Sequence, residues 1–226
     1  MTNYNKLNYS VRRNYVDSFF HHHVSSVPKN SQILDLGGNK TQKRGDFNIE
    51  KYALKVSYFN LSTVKQPDVQ ADAIHLPICD NSFDVVICAE VLEHLRSPID
   101  VIREAYRVLR PSGTILVTVP FLFPIHSDPY DFGRYTDYYW LEIFRDTGFQ
   151  DILIEKQGLY FSTLLNFTKL YLNKKVGRPF RWFLDWPTGK LQQAILRYEQ
   201  QTTVQKDQFI NSFTTGFGIR ATTDKR

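Results

Sequence analysis

Four short apolar runs, each rich in β-branched residues and none alternating with polar ones, constrain this chain more than any other feature. They lie at Gln32–Leu36, near Val56–Asn60, at Asp84–Cys88 and at Thr114–Val119. A strand with one face in water alternates, whereas a strand covered on both faces does not. Between the last two runs sits a helical pattern. Ser97 is placed to cap it, Pro98 suits its first turn, and Asp100 completes a capping-box spacing. Ile99, Ile102, Tyr106 and Leu109 fall on one side, and "RPSG" ends it. Strand, helix, strand in that order implies a right-handed parallel crossover. The first two-thirds of the chain is therefore read as an open α/β sheet.

The flanks read differently. A helix is expected from Tyr9 to Val27, with Val11, Tyr15 and Phe19 on one side. After "DTGF" comes a strand, "DILIEKQG", and from Tyr160 to Gln208 the text turns aromatic and basic, with helical stretches near Thr163–Leu172 and Leu191–Thr203. "NSFTTGFGIRATT" reads as a last strand. The expected organisation is one domain: an N-terminal helix over 1–30, a core over 31–158, a helical insert over 159–208, and a final strand and tail over 209–226.

The 226 residues suffice for one domain with a sizeable core. A net charge of +5 permits an acidic partner but by itself marks only a well-solvated surface. Two cysteines make no disulfide framework, and Cys88 lies in an apolar run as a small core residue. The first fifteen residues lack the apolar core of a secretory signal, and no run approaches the roughly 18 apolar residues of a membrane span. A cytoplasmic protein is expected. His21, His22 and His23 are consecutive, and neighbours on a helix point about 100° apart, so they cannot share one ligand face. No metal site is assigned.

"ILDLGGNK", residues 33–40, ends a buried strand in a glycine turn, and ligands of open α/β sheets bind at such carboxyl ends. Gly37 and Gly38 are adjacent and no third glycine follows until Gly45, which excludes both the dinucleotide fingerprint and the nucleoside-triphosphate P-loop. On spacing alone, a structural turn without a ligand reads equally well.

The stretch "ADAIHLPICDNSFDVVICAEVLEHL", from Ala71 to Leu95, is more specific. Together with the turn, and with Arg107, Val108, Leu109, Pro111 and Gly113 downstream, it resembles the class I S-adenosylmethionine-dependent methyltransferases, in the branch with an "LP…SFD…EVLEH" line. The resemblance covers residues 30 to 158 and the final strand. It implies a Rossmann-like, mostly parallel twisted sheet with an antiparallel last strand and a helical insert before it, and S-adenosylmethionine as cofactor. Of that family's acid-x-G-x-G-x-G motif, Asp35 and Gly37 match, while Asn39 and Thr41 take the second and third glycine positions. Asn tolerates positive φ better than other non-glycine residues, so the turn is expected to survive. By the same resemblance Asp35, Gly37, Gly38 and Asn39 form the cofactor turn, and Asn60 stands where an acid usually grips the ribose. Asn48 or Glu50 are alternatives for that grip. Asp72 meets the adenine amino group with Ala73 reading the ring edge, and Ala89 and Glu90 flank the methionine part. His94 is read as a packing or helix-end residue rather than a catalytic one.

Methyl transfer to a hydroxyl or a protonated amine also needs a base. "FLFPIHSDPYDFGRYT", residues 121–136, is a long, functionally loaded loop after a strand's carboxyl end. It is similar to a segment of relatives associated with polysaccharide and glycan pathways. His126 is the expected base, with Asp128 or Asp131 orienting it or acting instead. Arg134 holds an acidic substrate group or pairs with Asp131, and Tyr130 and Tyr135 wall the substrate side. The acceptor is then a small or carrier-linked molecule, with a sugar, a quinone-like lipid ring, or no reaction at all as the competing readings. The insert mixes Lys174, Lys175, Arg178 and Arg181 with Phe180, Trp182, Phe183 and Trp186. It is expected to cap the pocket and bury most of these rings, with a peripheral membrane contact through 170–187 as the alternative and nucleic acid disfavoured.

Overall fold

The computed structural model describes residues 6–41, 45–126 and 130–225. Its strands are β1 (Gln32–Leu36), β2 (Lys55–Asn60), β3 (Val69–Gln70), β4 (Phe83–Ala89), β5 (Leu109–Pro120), β6 (Phe149–Lys156) and β7 (Gly216–Thr223). Its helices are α1 (Val11–Ser25), α2 (Pro98–Val108), α3 (Asp137–Thr147), α4 (Tyr160–Lys175), α5 (Arg178–Glu199), α6 (Thr202–Gln205) and α7 (Gln208–Asn211). The strands form one sheet in the order β3-β2-β1-β4-β5-β7-β6. Pairings from β3 to β5 are parallel, and β7 runs antiparallel between β5 and β6.

The lack of alternation has its cause in burial on both faces. Leu34, Leu36, Val86, Cys88, Ile115 and Val117 pack on one side with Ile102 of α2 and Trp140 and Phe144 of α3. Ile33, Val85, Ile87 and Leu116 pack on the other with Phe19 and Phe20 of α1. At roughly 1.5–3 kcal/mol per fully buried large apolar side chain, these two layers dominate the stabilisation.

Three local expectations need correction. Ser97 precedes α2, but its side chain makes no capping bond. The strand expected from Thr114 begins already at Leu109, directly after α2. Arg110 to Gly113 already belong to β5, held by the Thr223 hydroxyl, which donates to the Arg110 carbonyl and accepts from the Gly113 amide. The second long helix of the insert begins at Arg178, not near Leu191, and continues through Pro187. The proline reads as a break, yet the Thr188 hydroxyl donates to the Leu184 carbonyl in the disturbed turn.

A buried carboxylate ties the two long helices of the insert to each other. Glu199, at the end of α5, is buried at the amino terminus of α4, where it accepts from the amides of Leu159 and Ser162 and from the Ser162 hydroxyl. A carboxylate there meets the positive end of the helix dipole. The aromatic stretch does not bury its rings. Phe180, Trp182, Phe183 and Trp186 are each between 66% and 72% exposed. No helix among the described residues is long and apolar enough to cross a membrane.

Candidate active site

The carboxyl ends of β1 and β4 face each other around the glycine turn. Gly37 has φ +76, and a Cβ there would stand 2.5 Å from Cγ2 of Val91. At Gly38 a Cβ would stand 2.2 Å from the Asp35 carboxylate. Gly37 needs glycine for its backbone conformation, a side chain at Gly38 would have to displace the Asp35 carboxylate, and the bare backbone forms a cradle. Asn39 is not among the residues with positive φ, so its replacement of the family's second glycine carries no left-handed strain. The Asn60 amide donates to the carbonyls of Gly37 (2.8 Å) and Gly38 (3.2 Å), while its carbonyl accepts from the Ser62 amide. Asn60 thus braces the turn from below. Asn48 caps a short turn by accepting from the Glu50 amide, and Glu50 accepts from the Tyr58 hydroxyl.

Asp72 lies exposed beyond β3, with Oδ1 accepting from the Ile74 amide, and Ala73 packs against the core. Ala89 ends β4 and packs on the α1 side. Glu90 follows at φ +56, a left-handed conformation that a non-glycine residue holds only when its surroundings fix it. Its amide donates to the Thr118 carbonyl, and its carboxylate takes both Nε and Nη2 of Arg12 from α1. Arg12 is 2% exposed, and its Nη1 donates to Gln157 Oε1. Burial opposes the charge on Glu90, but Arg12 outweighs it and holds the carboxyl below its ordinary range. Sequence reasoning missed Arg12, an N-terminal helix residue without a motif. The one available signal was an arginine among the apolar positions of α1.

Glu93 lies one turn further. It is 2% exposed, and among the described residues neither carboxylate oxygen has a hydrogen-bond partner. Burial first, and then the charge of Glu90, push its pKa up to about 8. His94 and His126 stand beside it, with Nε2 of each 3.7 and 3.8 Å from Glu93 Oε1. His94 makes the hydrogen bond its position suggests, donating Nδ1 to the Tyr130 carbonyl, while its Nε2 faces Glu93. The loop after β5 brings His126 here, and the Phe132 amide donates to the Glu93 carbonyl. Asp131 accepts from the His126 amide at 2.9 Å and takes both terminal nitrogens of Arg134 at 2.5 and 2.6 Å. Those bonds hold the Asp131 carboxyl down at about 2. Arg134 is thereby paired, which is the plainer of its two expected roles. Tyr135 stacks on Tyr139 and meets Trp140 edge-on, so it packs inward, whereas Tyr130 is exposed. Asp128 lies outside the described residues. At the amino ends of β4 and β5, by Asp84 and Thr114, a separate cavity of about 290 Å³ shares no residue with this site.

With this geometry in view, comparisons place the fold. A family described as "Methyltransferase domain" matches residues 46–117. Over 92–93% of the chain, the structure resembles a protein from Archaeoglobus fulgidus solved as an S-adenosylmethionine-dependent methyltransferase (TM-score 0.58, 14% identity, 94% of that chain) and a phosphoethanolamine N-methyltransferase from Haemonchus contortus, solved with S-adenosylhomocysteine (TM-score 0.59, 16% identity, 52% of that chain). This is an S-adenosylmethionine-dependent methyltransferase fold. The [4+2]-cyclase SpnF has it too (TM-score 0.58, 20% identity, covering 93% of this chain and 81% of that one). By sequence, the methyltransferase-fold chain is 34% identical over 128 residues to a ubiquinone/menaquinone C-methyltransferase of Pseudoalteromonas translucida, covering 48% of this chain and 51% of that protein. It is 29% identical over 115 residues to an uncharacterised protein of Methanocaldococcus jannaschii, covering 47% of this chain and 51% of that one. The chain spans about half the length of these relatives.

Proposed function

We propose that this protein is an S-adenosylmethionine-dependent methyltransferase acting on an oxygen or nitrogen nucleophile of a small or carrier-linked acceptor, a sugar among them. The observation that carries the reading is the juxtaposition of the Gly37–Gly38 cradle with the buried, unpartnered Glu93 and its two histidines. The donor set fits the cofactor. The turn offers bare backbone to an amino-acid end, Asp72 offers an exposed carboxylate to an adenine amino group, and Glu90, held ionised by Arg12, supplies negative character beside a sulfonium. Asp35, Gly37, Gly38, Asn39, Asn60, Asp72, Ala73, Ala89 and Glu90 would hold it.

S-adenosylmethionine supplies an activated methyl carbon, which leaves alignment and proton handling to the chain. His126 is placed for the proton. Its ring stands on the open side of Glu93, and its backbone is fixed by Asp131, which Arg134 holds in turn. Tyr130 is exposed beside this loop and available to an acceptor.

A specific observation favours a second reading for the acceptor. The similarity to the ubiquinone/menaquinone C-methyltransferase supports a quinone-like lipid ring. The exposed Phe180, Trp182, Phe183 and Trp186, with exposed Lys174 and Lys175 nearby, suit a peripheral contact with an anionic membrane that carries such an acceptor. Incubation with methyl-labelled S-adenosylmethionine and parallel panels of sugar, amine and demethylquinone acceptors separates the readings. Transfer to one panel names the acceptor class. Cofactor binding without transfer to any panel favours a fold kept for another purpose.

A further inference from the structure

We propose that Glu93, His94 and His126 form a binding site for a first-row divalent cation. One oxygen of Glu93 and one nitrogen of each histidine all lie within 4.8 Å of one another. Both Nε2 atoms face Glu93 Oε1, at 3.7 and 3.8 Å. That is too long for a hydrogen bond. It is close to the roughly 3–4 Å that separates two ligand atoms bound about 2.1 Å from one ion.

The surroundings prepare these atoms to ligate. His94 Nδ1 lies 2.5 Å from the Tyr130 carbonyl and must donate its proton there, which leaves the Nε2 lone pair free. His126 Nδ1 faces two acceptors for its proton, the Pro124 carbonyl at 3.3 Å and Asp131 Oδ2 at 3.5 Å, with Arg134 Nη2 also at 3.5 Å. Imidazoles that bind metals are held this way by a carbonyl or carboxylate on the other ring nitrogen. Glu93, with side-chain exposure of 1%, has no hydrogen-bond partner for either oxygen among the described residues. A buried carboxylate left so is costly unless something compensates it. The side chain of His126 is 35% exposed, so one flank of the site stays open to a further ligand. Two imidazoles and one carboxylate suit Mn²⁺, Fe²⁺, Co²⁺ or Zn²⁺ better than the all-oxygen preference of Mg²⁺ or Ca²⁺. The histidine run at 21–23 is not this site, since His23 is engaged by Glu155 and His21 by Tyr52.

The role of the cation, unlike its site, rests on the methyl-transfer reading. A hydroxyl of the acceptor would bind on the open flank, its proton would pass to water, its oxygen would form the new bond to the methyl carbon, and the carbon–sulfur bond would break to leave a neutral thioether. With the cation present, His126 is a ligand and no longer the base.

The test uses the full chain stripped with a chelator, in a His21→Asn, His22→Asn background that removes surface competition. Mn²⁺ alone is titrated by calorimetry and by electron paramagnetic resonance. One equivalent is expected to bind, and Glu93→Gln, His94→Ala and His126→Ala should each weaken it at least about tenfold while circular dichroism stays native. His75→Ala, on another loop, should bind as the parent does. Absence of bound Mn²⁺, or binding that the His94 and His126 variants leave unchanged, overturns the proposal. S-adenosylhomocysteine titrated into the same stripped protein reports on the methyltransferase reading separately, so either can fail without the other.

Discussion

Arg12 and Glu90, on elements far apart in the chain, form an ion pair in which the arginine is buried and the carboxylate 18% exposed. Gly216 makes room for it, since a Cβ there would stand 1.9 Å from Arg12 Nη1. Removing one partner leaves a buried charge uncompensated. Arg12→Met should therefore lower the unfolding free energy by about 3–5 kcal/mol in a urea titration. The double variant Arg12→Met, Glu90→Met should regain much of that loss. A single variant as stable as the parent contradicts the pairing.

His126 should matter for turnover and not for cofactor affinity, because it lies on the loop after β5 and not on the glycine turn. With an active acceptor in hand and the protein stripped of metal, His126→Ala is expected to slow transfer at least about a hundredfold, the scale of acid–base assistance, with S-adenosylhomocysteine affinity nearly unchanged. Single-turnover kinetics and calorimetry on one preparation check both halves.

Lys169 gives a pH signature away from the site. It is fully buried between α4 and α5, donates to Gln192 Oε1 at 2.7 Å, and burial lowers its pKa to about 8. Between that value and the ordinary 10.5 the unfolded chain binds more protons than the folded one, so stability rises with pH across this window. Below about pH 8 both states are charged and the full penalty, on the order of 3 kcal/mol, is present. The stability difference between wild type and Lys169→Met should shrink or invert as pH falls from 10 to 8 and stay flat below. A difference independent of pH contradicts the assignment.

The exposed rings of α5 predict binding to vesicles. Trp182→Ser with Trp186→Ser should reduce sedimentation with anionic vesicles several-fold and leave the melting temperature in place, because neither ring is buried. Equal sedimentation of parent and variant removes the membrane contact.

The sheet was legible because burial on both faces writes itself into residue type: Ile33 to Leu36 and Val85 to Cys88 have no polar alternation to suppress. β3 was not, since Val69 and Gln70 are too few to show a pattern, and α5 was hidden behind Pro187. At the site, the glycine turn at Gly37 and the length of the loop that carries His126 could be read locally, while the roles given to them rest on the resemblance. What Asn60 and Arg12 touch could not. Asn60 bonds backwards to Gly37 and Gly38, and Arg12 finds partners 78 and 145 positions away at Glu90 and Gln157. The grouping of His126 with Glu93 and His94 likewise exists only after the loop has folded over β4. Such pairings depend on the tertiary path, which local periodicity does not encode.

The central claim is that the bare backbone at Gly37–Gly38 receives the amino-acid end of an adenosylated sulfur cofactor. Calorimetric titration of S-adenosylhomocysteine into wild type and Gly37→Val tests it directly, because valine must adopt φ +76 and collide with Val91. The account predicts one saturable site in wild type and at least about a tenfold loss of affinity in the folded variant. No binding by wild type, or equal binding by both proteins, would contradict it.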